Sequence, residues 1–359
     1  MGPFRVARAA PLVAALLSLA CVDDPTSSAD VPSECSIPAQ LLVDGGPGKD
    51  GIPALRNPEL VPPTSASVAY LLDSDRVIGL VVDGNAIAVP LNVLWWHEIV
   101  NFDFGETRLA VTHCPLTGSS LVFDRLSVDG AEFGVSGLLF MNNLVMYDRR
   151  AGESLWPQMM RGARCGRADG TRLPMVASLE MTWAGWKALH PQTTVVTGNT
   201  GFPRNYRSYP YGDYRRIDNP TLLAPIPRVD TRRPPKELVL GIPSGADAGL
   251  ALPFGTLAAI GPVAAVHVAV DARSIVVFWD ASAAGAAAFS ADTPAGTLTF
   301  KARNGRIDDV ETGSTWRLDG RAINGPLAGT QLIPIADAYA SYWFAWHNFH
   351  PGAALWTGN

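Results

Sequence analysis

The sequence predicts an α+β fold, mostly β, built from two tandem, diverged copies of one β-rich module related by pseudo-twofold symmetry. Three observations predict it. Trp183, Trp186, His190 and Pro191 recur as Trp343, Trp346, His350 and Pro351, each displaced by 160 positions. Trp supplies only 10 of 359 residues, so chance does not give four matches at one shift. A period this long marks a duplicated module, since solenoid units repeat every roughly 20–50 residues. The match also extends upstream. Gly170-Thr171-Arg172-Leu173 answers Gly329-Thr330-Gln331-Leu332, Ala151-Gly152…Trp156 answers Thr312-Gly313…Trp316, and Ile78-Gly79…Pro90-Leu91 answers Leu240-Gly241…Pro253-Phe254. Finally, the local patterns are those of short strands with a few helices.

The elements follow in chain order. Met1 to Arg8 is a short basic region, and Ala9 to Ala20 is an apolar run too short to span a bilayer, so residues 1–20 read as a secretory signal peptide. Leu17-Ser18-Leu19-Ala20-Cys21 is similar to a bacterial lipobox, which makes Cys21 the expected lipidation site and the membrane an expected partner. Ser18 stands where a lipobox usually has Leu, and plain cleavage after Ala20 is the alternative. Val22 follows the cysteine instead of Asp, which favours the outer membrane over inner-membrane retention. Residues 21–63, rich in Pro, Gly, Ser and Asp, read as a flexible tether.

The first module is placed at 64–216. Val77–Val82 and Ala86–Val89 flank Asp83-Gly84-Asn85, a hairpin signal. Leu91, Leu94, Trp95 and Ile99 have helical spacing, predicting a short helix that ends near Asn101. Strands are expected around 107–112, 120–123, 133–140 and 144–148, divided by turns containing Gly, Asp and Asn. Thr182 caps a second helix whose Trp183, Trp186, Leu189 and His190 share one face, and Pro191 stops it. Pro220, Pro225, Pro227, Pro234 and Pro235 make 217–238 an extended linker. Residues 239–359 form the second, degenerate module. Net charge is −5 with scattered basic residues, which gives no footprint for nucleic acid.

The copies differ at one block. The first reads Ala110-Val111-Thr112-His113-Cys114-Pro115-Leu116-Thr117-Gly118-Ser119, and the matching place in the second is assigned to Ala265-Val266-His267-Val268-Ala269-Val270, which lacks Cys and Pro. Cys35 falls in the tether and reads as incidental. Cys114 is expected to be free, with a Cys114–Cys165 disulfide as the alternative in an oxidising compartment. Cys165 aligns with Asn324, so the fold does not require a thiol there.

Trp96-His97-Glu98-Ile99-Val100-Asn101, the block from Val111 to Ser119, Phe123-Asp124-Arg125, Phe133 to Leu138, Asn143 to Arg149 and Pro210-Tyr211-Gly212-Asp213-Tyr214 together resemble the domain-of-unknown-function 3179 family over roughly residues 70–356. Family members often read Tyr-Cys-Pro-Leu, where this chain has His113. Some carry a second Cys three residues after the first, where this chain has Thr117, so no dithiol redox pair is formed. The resemblance implies a fold and the location of a site, and it names no reaction.

Three chemistries compete for that site. Cys114, His97, His113 and Met146 offer thiolate, imidazole and thioether donors, the set suited to copper. Cys114 with His97 as base and the Thr117-Gly118-Ser119-Ser120 turn as oxyanion donors would make a cysteine nucleophile. In the third reading, which is favoured, Cys114 is a small buried apolar residue of a binding or structural module. Asn142 and Asn143 are further candidates for binding. The loop from Arg204 to Arg216 carries Arg204, Tyr206, Tyr211 and Tyr214, suited either to gripping a carbohydrate or anion or to covering the junction between modules. His190 and His350 occur in both copies and read as packing elements. Asp124 and Asp148, each followed by Arg, read as turn and salt-bridge residues.

Overall fold

The computed structural model of the chain describes residues 35–294 and 296–358. The expected signal peptide and lipidation site at Cys21 lie outside the described residues. The fold is α+β and mostly β, as the sequence predicts. The first half contains β1 (Leu42–Asp44), β2 (Leu55–Arg56), β3 (Leu60–Val61), β4 (Arg76–Val82), β5 (Asn85–Pro90), α1 (Leu91–His97), β6 (Ile99–Phe104), β7 (Thr107–Cys114) and β8 (Ser119–Asp124). It continues through β9 (Phe133–Phe140), β10 (Asn143–Asp148), β11 (Leu155–Pro157), β12 (Leu179–Thr182), α2 (Trp183–Leu189) and β13 (Thr194–Val196). The second half contains β14 (Leu238–Ser244), β15 (Ala248–Pro253), α3 (Phe254–Ile260), β16 (Val263–Val270), β17 (Arg273–Asp280), β18 (Gly285–Ser290), and the small pair β19 (Asp292–Thr293) and β20 (Gly296–Thr297). After them come β21 (Phe300–Arg303), β22 (Arg306–Asp309), β23 (Thr315–Trp316), β24 (Ala322–Asn324), β25 (Tyr339–Tyr342), α4 (Trp343–Phe349) and β26 (Ala354–Leu355).

The order of pairing recurs between halves. One sheet runs β12-β4-β5-β13-β3 and another β25-β14-β15-β26; a three-stranded meander β6-β7-β8 has its counterpart in β16-β17-β18. Each sheet receives a Trp from the helix that follows its outer strand. A Cβ placed on Gly79 would lie 2.3 Å from the Trp186 ring, and one on Gly241 would lie 2.0 Å from Trp346. Only glycine lets the indole sit flat on the strand. Trp156 Nε1 donates to Asp148 (2.8 Å) and Trp316 Nε1 to Asp309 (2.9 Å), so the same buried pair recurs in the sheets β1-β9-β10-β11 and β21-β22-β23-β24.

The halves are packed crosswise. One core joins Val77, Ile78 and Trp186 to Phe278, Phe289, Phe300 and Trp316; a second joins Cys114, Phe133 and Trp156 to Val239, Trp343 and Trp346. Two backbone bonds mirror one another across the junction: Thr182 N–H to Ala283 O and Tyr342 N–H to Thr117 O, both 2.8 Å.

Several expectations are corrected. The tether does not extend over residues 35–63: β1 pairs with β9, β2 with β6 and β3 with β13, because Leu42, Leu55 and Val61 have apolar surface to bury. Cys35 is not incidental, and Cys165 does not bridge to Cys114. Cys35 and Cys165 form a disulfide across a sequence separation of 130, beside the bond from Ser36 N–H to Arg164 O (2.7 Å). Helix α1 stops at His97 because Glu98 takes φ 56°, turning the chain into β6. The strand equivalent to β7 is β17, one strand later than assigned. Cys114 pairs with Ser119 at the end of β7, and Asp280 pairs with Gly285 at the end of β17, so Asp280 stands in the place of Cys114.

Candidate functional site

Strand β7 delivers Cys114 to a tight turn, Pro115 to Gly118, that returns into β8. Gly118 has φ 58°, and a Cβ there would meet the Tyr342 ring at 2.7 Å, so the turn needs glycine for its backbone and for the approach of the second half. The Cys114 side chain is fully buried. Its Sγ accepts from Leu144 N–H at 3.3 Å and lies 3.5 Å from the Asn142 carbonyl. Burial first, and then the nearby Glu98 carboxyl, push the thiol up to about 11. At neutral pH it is a thiol with no open approach.

The other expected ligands do not converge on it. His97 Nδ1 bonds the Pro53 carbonyl and Nε2 the Tyr206 hydroxyl, both at 2.7 Å. Nδ1 therefore carries the proton and Nε2 accepts, with both nitrogens used. Burial lowers His97 to about 4. His113 bonds Ser120 Oγ through Nδ1 at 3.0 Å and is likewise lowered to about 4 by burial. Met146 is buried in β10 opposite Trp156 and Val135. Among the described residues no group of three or more His, Cys, Asp or Glu is arranged to hold a metal ion.

Asn142 and Asn143 are framework residues. Asn142 holds the linker, donating to Ala224 O and accepting from Leu223 and Ala224 N–H at 2.6–2.7 Å. Asn143 sits in a buried polar network with Thr117, Ser119 and Gln158 and accepts from Met159 N–H. Every polar atom in that network has a partner, which fixes the turn after Cys114.

The Tyr/Arg loop lies on the cysteine block itself. Tyr214 OH donates to Leu116 O at 2.9 Å and Tyr209 OH to Pro115 O at 3.4 Å. Tyr206 is spent on His97. Arg204 stacks over Trp96 at 5.4 Å, and Arg215 lies over both Trp95 (4.9 Å) and Tyr209 (4.6 Å). Two cavities remain beneath this loop. One, of about 320 Å³, is lined by Glu98, Trp96, Arg204 and Tyr211. Its Glu98 is 5% exposed, with no hydrogen-bond partner for the carboxyl among the described residues, and burial raises it to about 8.

The other cavity, of about 300 Å³, lies where the halves meet, between His113, Glu180, Arg215, Tyr209 and Tyr342. Glu180 Oε1 accepts from Arg76 Nε at 2.6 Å, while its Oε2 is buried without a partner. Arg215 is exposed and forms no ion pair among the described residues. The second half has apolar residues at the equivalent places. By strand register Leu238 stands for Arg76, Ala340 for Glu180 and Trp279 for His113. Of these residues the sequence singled out only His113. The polar-to-apolar change between the two halves was the signal that could have found Arg76 and Glu180, once the comparison of the halves was extended by one strand.

The molecule is thus a β-rich α+β protein whose two crosswise-packed halves differ at one buried polar pocket beside a non-ionised cysteine. The chain belongs to the DUF3179 family, described as a protein of unknown function, whose family model matches residues 49–353. No curated protein and no solved structure matches it.

Proposed function

We propose that the protein is an exported, lipid-anchored binding protein that holds a small polar ligand in the cavity between His113, Glu180 and Arg215. The observation that carries this is the unpartnered buried oxygen of Glu180. A buried acceptor left without a donor costs about 1–3 kcal/mol, and a ligand hydroxyl or ammonium would remove that cost. Arg215 offers a guanidinium at the mouth for a carboxylate, and Trp95, Tyr209 and Tyr342 supply flat walls. The ligand class is a small hydroxy- or amino-carboxylate. In this reading the two halves descend from a duplication with pseudo-twofold symmetry. The second copy, having lost the polar set, serves as a support. The buried thiol, between His113 and Pro115 of the wall, does not line the cavity itself and is in this reading neither nucleophile nor copper ligand.

Thermal shift of the purified protein against lactate, malate, serine and glutamate tests the site. At least one is expected to raise Tm, and Arg215→Gln to abolish the rise. Unchanged shifts in Arg215→Gln would refute the assignment. Palmitate labelling with a Cys21→Ala control tests the anchor, and a wild-type chain that takes up no label would refute it.

A further inference from the structure

A third, larger cavity of about 570 Å³ opens on the face of the first sheet that carries α2, lined among others by Leu179, Ala177, His190 and Arg321. Its counterpart in the other half is filled by the chain itself, and the filling shows what is missing. Leu179 on β12 pairs with Gly79, the glycine that receives Trp186; Tyr339 on β25 pairs with Gly241, the glycine that receives Trp346. The two side chains therefore stand on equivalent positions of the same sheet face. In both halves a histidine stacks on that Trp, His190 at 4.2 Å and His350 at 4.1 Å.

In the second half the Tyr339 ring packs 5.4 Å from Trp346, and its hydroxyl lies 2.9 Å from His350 Nε2. Two residues earlier, Asp337 faces Arg161, which reaches over from the opposite half, at 3.7 Å. In the first half both groups are gone: Leu179 replaces the phenol and Ala177 the carboxylate. The cationic group is still there. The matching loop of the opposite half brings Arg321 to the cavity mouth, one position along from the strict equivalent of Arg161, and no ion pair is found for it among the described residues. The one carboxylate at the cavity, Asp319, is held by Arg317 and sits 3.6 Å from His190 Nε2.

We infer that this cavity binds a small phenolic carboxylic acid, whose ring takes the place of Tyr339 against Trp186 and whose carboxylate pairs with Arg321. The hydroxyl would reach the His190 edge, as Tyr339 does with His350. This inference is independent of the pocket beside Cys114.

Isothermal titration with 4-hydroxyphenylacetate, and with p-cresol as the uncharged comparison, tests it on the purified protein. Wild type is expected to bind both, the acid more tightly. Arg321→Gln, an exposed substitution that leaves the core untouched, should weaken the acid by about tenfold and leave p-cresol unchanged, because a charge-assisted pair is lost. Leu179→Tyr should abolish binding of both by supplying the missing phenol from the chain. Failure of wild type to bind either probe at millimolar concentration would overturn the inference. So would undiminished binding to Leu179→Tyr, or equal weakening of acid and cresol by Arg321→Gln.

Discussion

Glu98 makes stability depend on pH in a direction opposite to that of most carboxylates. It is buried at the end of α1, has no partner for its carboxyl among the described residues, and is raised from an ordinary 4.5 to about 8. The folded chain thus keeps a proton that the unfolded chain releases above pH 4.5, and stability falls as pH rises until the folded group ionises near 8. The buried histidines act in the other direction. His97 and His113, lowered to about 4, and His350, lowered to about 3, lose stability as pH falls below 6.5. Five histidines are lowered by burial, these three with His190 and His347, and Lys236 is lowered to about 8, so these groups also titrate between pH 6.5 and 8. The difference between wild type and Glu98→Gln, in which those groups are the same, therefore isolates Glu98. At roughly 1.4 kcal/mol per pH unit, the free energy of unfolding of wild type should drop by about 2 kcal/mol relative to that variant between pH 6.5 and 8. Glu98→Gln keeps the shape without the carboxylate titration and should gain stability over this range, as the histidines of the unfolded chain lose their protons. Urea unfolding of both proteins at pH 6.5, 7.2 and 8.0, with the disulfide intact, measures this. A difference between the two proteins that stays constant from pH 6.5 to 8 would refute the burial argument.

The remaining predictions concern the framework. Cys35→Ser should destabilise the protein by about 3–5 kcal/mol in urea, since the bridge closes a long loop; a loss below 1 kcal/mol would mean that residues 35–63 contribute little. Cys114 should resist iodoacetamide in the native protein at pH 8 and react only on unfolding; rapid native labelling would show an accessible thiolate. Gly241→Ala should cost about 3 kcal/mol or more, because its Cβ would lie 2.0 Å from the Trp346 ring and a packed indole has nowhere to move. Circular dichroism melts of Gly241→Ala and Gly79→Ala check this, and a loss within 0.5 kcal/mol in both would sink it.

Much of the architecture was written in the spacing of rare residues. Trp186 and Trp346 stand in like places in the two halves because each meets a glycine on the neighbouring strand, a constraint readable in Gly79 and Gly241. The hairpin at Asp83-Gly84-Asn85 was legible for a similar local reason. The cysteine pairing was not legible, because it depends on β1 adding to the edge of the β9–β10 hairpin, a contact between distant segments with no periodicity to announce it. Glu98 was quoted only as part of a motif, since burial without a partner is a property of the assembled fold. The strand offset that placed Ala265 opposite Ala110 arose because β6 and β16 differ in length, Ile99–Phe104 against Val263–Val270. Alignment by residue type slid to the wrong strand, and hydrogen-bond register restored it.

On the proposed duplication, the crosswise packing explains why divergence yields pockets instead of collapse. Thr117 O receives Tyr342 N–H while Ala283 O receives Thr182 N–H, so the turn of each half forms a wall for the outer strand of the other. A substitution in one copy therefore alters a cavity at one junction and leaves the mirror junction intact. Losing Tyr339's equivalent empties one face while His350 and Trp346 still hold the other. Glu180 and Arg76 make the wall given by the first half polar, while Leu238, at the place equivalent to Arg76, gives the same cavity an apolar wall. With the fold secured twice, each cavity was free to change separately. That is why the proposed ligand sites fall where the copies disagree, and the conserved Trp and Gly positions fall where they agree.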